Sequence, residues 1–381
     1  MFRTGVMALL SIGALGVHHQ ERPREQIVKH TLPLDMPLTF HGAHNRSIET
    51  QEAQEQIDEW WASIEHASPV ETVDLPNIVF IKPHKVGSSS MYYFLRTVAA
   101  RYNGFQHEYF LVDSMENFFG AWKNQPVKSG LHLWSDHGRL NDLLQISTIQ
   151  VLEQSFKLTL VREPVDRCFS AFYYYKCNAD CHALPEEEMT QRKLDFKVCG
   201  SSSKSSTQMK EIAPAGENST VEETMAFYDF IGITGRFMES LTVIKMVLGL
   251  RYGDMLYYDS KISGRHRDSF KHPPIAEEPP EVIEHMKTLV GPQDKELFTA
   301  ADQKLSEIIV KLEPEFSIVH ARMVESLTAA RLACGRKEGQ DRRLRIASAC
   351  FTYGSCRLSC LNKFAGDHSL WDVPTPVKLD L

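Results

Sequence analysis

Asn77-Ile78-Val79-Phe80-Ile81-Lys82-Pro83-His84-Lys85-Val86-Gly87-Ser88-Ser89-Ser90 is the stretch whose reading decides the fold class. Its first five residues are apolar and β-rich, and Pro76 and Lys82 bound them. They predict a short buried strand. Residues Met91 to Tyr102 then predict a helix with Leu95, Val98 and Tyr102 on one face. Strand, Gly/Ser turn and helix N-terminus together make an anion cradle. The first N–H groups of a helix have no intrahelical acceptor, and the helix dipole favours negative charge there. Gly87 admits a close backbone approach, and the backbone from Val86 onward supplies N–H groups. Ser88, Ser89 and Ser90 add hydroxyl donors, and Lys82 and Lys85 add positive charge. The lysine precedes the glycine, the reverse of G-x-x-x-x-G-K-[ST], which disfavours a nucleotide triphosphatase or kinase.

A second unit of the same kind lies about 80 residues on. Lys157 to Val161 predicts a strand, Arg162-Glu163-Pro164 a turn, and Val165 to Tyr175 a helix that Pro164 opens. Arg162 offers a planar fork of donors suited to a phosphate, and Ser170 adds a hydroxyl on the helix. Asp229–Thr234 predicts a further strand, Arg236–Leu250 an apolar helix and Met255–Tyr258 another strand. Residues 261–281 read as a loop, and helices are expected near 281–290 and 294–312. Residues 178–220, rich in Ser, Lys and Glu, read as a long surface insertion. Alternating strands and helices imply an α/β fold with a central, mostly parallel sheet flanked by helices.

The bulk numbers set limits. The chain has 381 residues, 43% hydrophobic and 24% charged, with a net charge of −7. That balance argues against broad nucleic-acid binding, which needs a basic domain. Near the N-terminus, Arg3 precedes an apolar run from Gly5 to Val17, the layout of a secretory signal peptide or a short type II membrane anchor. This gives 1–22 as signal or anchor, 23–75 as a polar stem, 76–325 as the catalytic-type domain and 326–381 as a Cys-rich C-terminal extension. Eight cysteines suit a secretory compartment and predict disulfides rather than a metal site, since no CxxC pair exists. Cys177, Cys181 and Cys199 cluster, as do Cys334, Cys350, Cys356 and Cys360, while Cys168 stands alone and reads as buried. Asn45 and Asn218 head N-x-S/T triplets, sites for glycosylation.

Phe80 to Ser90 resembles the 5′-phosphosulfate loop of Golgi carbohydrate sulfotransferases, and is most similar to that of the galactose-3-O-sulfotransferase family, which includes galactosylceramide sulfotransferase. Pro83, Val86 and Ser90 depart from that family's Lys-Thr-His-Lys-Thr-Gly/Ala-Ser-Ser-Thr pattern. Arg162, Pro164 and Ser170 resemble the same superfamily's 3′-phosphate site. The resemblance runs from about 77 to 320, is patchy between motifs, and is weak over 178–220 and after 330. It implies a P-loop-like sulfotransferase fold and 3′-phosphoadenosine 5′-phosphosulfate (PAPS) as co-substrate, with no metal. It also implies a Golgi location on the membrane or in the lumen, or secretion if the N-terminal segment is cleaved. The acceptor it implies is the 3-OH of galactose on a glycolipid or glycan. Lys82, Lys85, Val86, Gly87, Ser88, Ser89, Ser90, Arg162 and Ser170 would hold the co-substrate, with Lys85 catalytic as well.

A sugar hydroxyl is a poor nucleophile and needs a base. Among 16 histidines, His137 in Ser135-Asp136-His137-Gly138-Arg139-Leu140-Asn141 is the leading candidate, because that segment looks like a family Asn-His-Met-Arg-Phe-Asn stretch. His84 and His132 are weaker candidates. Asp136 and Arg139 are candidates to touch the sugar or cofactor, Glu239 to touch the acceptor, and Arg265 and Arg267 to touch the nucleotide. Two competing readings remain: a uronyl 2-O-sulfotransferase acting on glycosaminoglycans, and a catalytically inactive secreted binding protein with the same fold.

Overall fold

In a computed structural model the described residues are 75–101, 105–108, 132–136, 140, 155–177, 184–199, 207–257, 273–334 and 358–371. Five strands carry the fold: β1 (Asn77–Ile81), β2 (Phe105–Glu108), β3 (His132–Asp136), β4 (Ser155–Val161) and β5 (Phe230–Ile233). They form one sheet in the order β2-β3-β1-β4-β5, and every pairing is parallel. Ile78 and Phe80 are buried, and so are Val79 and Ile81, which point to the opposite face. A strand buried on both faces is what a parallel sheet covered by helices requires, and it explains why β1 reads as an unbroken apolar run. The expectation of an α/β fold with a parallel sheet holds.

The helices are α1 (Ser88–Arg101), α2 (Pro164–Tyr175), α3 (Glu186–Leu194), α4 (Gln208–Ile212), α5 (Val221–Phe227), α6 (Phe237–Leu248), α7 (Pro280–Thr288), α8 (Pro292–Leu312), α9 (Glu315–Ala333) and α10 (Leu358–Asp367). Helix α1 packs on β2 and β3, and α6 and α8 pack on β5. From β1 the chain passes to β2 and β3 on one side; from β4 it passes to β5 on the other. Adjacent strands whose connections leave in opposite directions open a crevice at their carboxyl ends. That crevice lies between β1 and β4, where the two sequence motifs begin.

Several expectations need correction. Residues 253–255 form a 3-10 turn rather than part of a strand over Met255–Tyr258. Met255, Leu256 and Tyr257 are apolar because they enter the core, not because they pair in the sheet. Strands β2 and β3 are additions to the expected set, since their sequences, Phe-Gln-His-Glu and His-Leu-Trp-Ser-Asp, lack a long apolar run. The 178–220 region is not simply a surface insertion: Gln208, Met209, Glu211 and Ile212 of α4 are buried. Cys168 is buried but not alone. It is bonded to Cys199, and Cys334 is bonded to Cys360. Cys177 is also disulfide-bonded.

The boundary drawn at 325/326 falls inside α9, and the chain beyond it rejoins the same core. Leu361, Phe364 and Leu370 are buried in the main hydrophobic cluster. The Gly253 N–H donates to the Leu370 carbonyl at 2.8 Å, and Trp371 lies so close that a Cβ on Gly253 would meet its ring at 2.5 Å. The Trp371 ring also faces the Arg251 guanidinium at 4.7 Å, while Arg251 and Asp254 form a buried ion pair. Gly253→Ala forces the indole outward and is expected to cost about 1–3 kcal/mol, the usual range for overpacking. A urea midpoint equal to wild type would show that 358–371 is not docked there.

Lys245 sits under this region, its ammonium donating to the Leu250 carbonyl at 2.8 Å. Burial pushes its pKa down to about 8; Asp254 opposes the shift and Arg322 adds to it. Below that value the lysine is charged in both states and burial penalises folding. As pH rises toward the unfolded-state pKa the penalty is relieved, so stability contributed by this group rises. Wild type is expected to gain on the order of 1–2 kcal/mol relative to Lys245→Met between pH 7.5 and 9.5. Urea titrations at the two pH values measure the difference, and parallel responses would refute the shift.

Candidate active site

Residues Lys82 to Gly87 link β1 to α1 and form the floor of the crevice. Side chains bind the carbonyls of Ile81, Pro83, His84, Lys85 and Val86. The Thr159 hydroxyl donates to the Ile81 carbonyl at 2.9 Å, and the Ser88 hydroxyl to that of Pro83 at 2.9 Å. Arg167 Nε donates to the His84 carbonyl at 2.9 Å and an Arg162 terminal nitrogen to that of Lys85 at 3.1 Å. The Thr234 hydroxyl lies 2.6 Å from the Val86 carbonyl oxygen and 3.0 Å from that of Val161. Thus β4, α2 and the turn after β5 all grip the loop by its oxygens.

This grip fixes the other side of the loop. In a planar trans peptide the N–H points opposite to the C=O. Holding the carbonyls of His84, Lys85 and Val86 therefore turns the N–H groups of Lys85, Val86 and Gly87 the other way. Those of Val86 and Gly87, and of Ser88 and Ser89 in the first turn of α1, donate to no backbone acceptor among the described residues. The first hydrogen bond of the turn runs from the Ser90 N–H to the Gly87 carbonyl at 3.0 Å. Lys85 (φ 66°) and Gly87 (φ 72°) both take the left-handed region, which curls successive N–H groups toward one point. Glycine meets this conformation without strain; lysine does not, and the grip on its flanking carbonyls compensates.

Charged side chains stand around this concave backbone. The Lys85 ammonium lies 3.6 Å from the centre of the Tyr174 ring, and Tyr174 is half exposed on α2. Lys82 is buried with its ammonium 4.8 Å from the Tyr92 ring centre. Arg162 leaves β4 and pairs with Asp166 one turn along. Asp166, Ser170 and Tyr174 recur at four-residue spacing, so Ser170 shares the α2 face that carries the partners of Arg162 and Lys85. The structure therefore brings the Lys82–Ser90 loop and Arg162 into contact, with Ser170 half-buried beside them.

The other candidates fare differently. His137, Arg139, Arg265 and Arg267 lie outside the described residues. Strand β3 ends at Asp136, whose register partner is Ile81, so it ends level with the strand that feeds the loop. His132 starts β3, in register with Phe105 at the start of β2. His84 is held by Glu211: its N–H donates to one carboxylate oxygen at 2.7 Å and Nδ1 is 3.2 Å from the other. Glu239 pairs with Arg236, which also bonds Asp302 and Ser306.

The contacts of three supporting residues escape a reading of the sequence. The Gln208 amide completes the peptide groups of Arg162, accepting from its N–H at 2.7 Å and donating to its carbonyl at 2.9 Å. Asp294, at the start of α8, accepts from the Gln208 and Met209 N–H groups at 3.0 and 3.1 Å and so caps α4. Glu211 also faces Arg167, at 3.3 Å. Burial pushes the Glu211 carboxyl up, but the His84 hydrogen bond and the Arg167 charge outweigh it and hold the group below its ordinary value. A buried acid among Ser- and Lys-rich sequence gives no local signal of its partners.

Residues 72–250 match the model of the sulfotransferase family. The match supports a sulfotransferase. It covers both strand–turn–helix motifs and the bracing residues Gln208, Glu211 and Thr234. No curated protein and no solved structure matches the chain. The parallel α/β sheet with its anion-type loop is consistent with the sulfotransferase fold, and that family generally uses PAPS.

Thr234→Val keeps the shape but leaves the Val86 carbonyl without this donor. It is expected to lower stability by about 1–3 kcal/mol in urea unfolding, and Thr234→Ser to restore most of it. A valine variant as stable as wild type would show that the hydroxyl adds nothing to the loop.

Proposed function

We propose that this protein transfers the sulfuryl group of PAPS to a sugar hydroxyl, the favoured acceptor being the 3-OH of a terminal galactose on a glycolipid or glycan. One observation carries the reading: Arg162, the first residue after β4, reaches the Lys85 carbonyl at 3.1 Å, so the two motifs meet in one crevice. A 3′,5′-bisphosphorylated nucleotide has two anionic groups, and this crevice offers two cationic stations joined by a backbone cradle. The Gly87–Ser90 turn, with Lys82 and the Val86 N–H, would take the phosphosulfate. Arg162 and Ser170 would take the 3′-phosphate.

In the reaction the acceptor oxygen attacks sulfur, and the bond from sulfur to the bridging oxygen of the 5′-phosphate breaks. The acceptor proton passes to a base, assigned to His137. The departing bisphosphate gains charge on the bridging oxygen. Lys85, released from the Tyr174 ring by a stronger partner, would neutralise it. Such a contact strengthens as the bond breaks, so it lowers the barrier rather than only tightening binding. The resemblance to galactose-3-O-sulfotransferases supports the acceptor choice. The N-terminal apolar run and the disulfides support a Golgi or secretory setting.

The test is transfer from radiolabelled PAPS to galactosylceramide, lactose-type glycans and heparan precursors. Wild type is expected to label a galactosyl acceptor. Lys85→Ala should lower kcat by about 10²- to 10³-fold, and His137→Ala by about 10²- to 10⁴-fold. Labelling of heparan precursors alone would move the reading to a glycosaminoglycan sulfotransferase. No transfer and no binding of the desulfated nucleotide in calorimetry would leave an inactive binding protein.

A further inference from the structure

We propose that Glu211, on the short helix α4, is a positioning residue that sets Lys85 for the reaction; this rests on the sulfotransferase reading above. Residue 84 is gripped at both backbone polar groups. Its N–H donates to Glu211 at 2.7 Å, and its carbonyl accepts from Arg167 Nε at 2.9 Å. The two grips are themselves joined, because Arg167 also reaches the same carboxylate at 3.3 Å. The His84 ring adds a third contact to it. The Arg167 and Glu211 side chains are 3% and 5% exposed, so water does not screen or replace these bonds.

The grip matters because Lys85 is the next residue in the chain. It holds a left-handed backbone conformation at φ 66°, costly for a lysine. Fixing both polar groups of residue 84 sets the peptide plane from which Lys85 departs, and hence where its ammonium reaches. The rest of the cradle is held independently: the Val86 carbonyl by Thr234, and the α1 N-terminus by its own first turn. Loosening Glu211 therefore disturbs the lysine that acts on the breaking bond more than the N–H groups that hold the nucleotide. Arg167 also donates to the Cys199 carbonyl at 3.2 Å, and Cys199 is bonded to Cys168 on α2. The 178–220 region, read from sequence as a surface insertion, thus supplies the back wall of this loop.

A steady-state comparison of wild type, Glu211→Gln and Glu211→Asp tests the proposal, with calorimetric titration of 3′-phosphoadenosine 5′-phosphate on each full chain. Aspartate keeps the buried charge facing Arg167 and withdraws it by one methylene, so it guards against misfolding of the glutamine variant. The expected result is kcat reduced by about ten- to a hundredfold with nucleotide Kd changed by less than about threefold. Wild-type kcat in both variants, or a nucleotide affinity that falls in step with kcat and with thermal stability, would overturn the positioning role. If wild type itself binds no nucleotide, the sulfotransferase reading falls first; if wild type transfers sulfate and the variants match it, only the present inference falls.

Discussion

The site depends on one constraint: the loop after β1 is held by its carbonyl oxygens. Thr159, Ser88, Arg167, Arg162 and Thr234 each bind one carbonyl between Ile81 and Val86. Peptide planarity turns that grip into an array of N–H groups facing the crevice. A loop gripped through its N–H groups would present oxygens and repel an anion. The choice is made by side chains on three other elements, not by the loop sequence alone.

Those side chains in turn need support, and the support can be traced outward. Gln208 completes the peptide groups of Arg162, and Asp294 caps the helix on which Gln208 sits. Asp294 belongs to α8, which packs on β5, the strand that ends just before Thr234. The loop is thus fixed through a closed circuit of contacts that returns to the same sheet. Such a preorganised cradle carries its cost in folding rather than at the moment of reaction.

Range along the chain decides how much of this is legible in the sequence. The apolar run of β1, the Lys-Pro-His-Lys-Val-Gly-Ser-Ser-Ser turn and the Arg-Glu-Pro turn with Ser170 are local patterns, and local patterns announce their geometry. Strand β4 and helices α2, α6, α7 and α8 appear within a few residues of their expected bounds. Glu211, Gln208 and Asp294 act across 44 to 127 residues of chain, and nothing in their immediate neighbours points to those partners. Strands β2 and β3 are hidden because four or five residues of mixed polarity give no period. The Cys168–Cys199 bond is hidden because Cys168 lies in an apolar helix face, remote from Cys199 in sequence. His137, the proposed base, lies outside the described residues, and its assignment rests on resemblance.

The most direct test is amide hydrogen exchange of the full chain with and without 3′-phosphoadenosine 5′-phosphate. Slowed exchange concentrated in peptides spanning Lys85 to Ser89, with a second protected segment around Arg162 to Ser170, is the predicted result. Nucleotide binding that leaves the 85–89 amides unprotected, or protects only another region, would contradict the cradle.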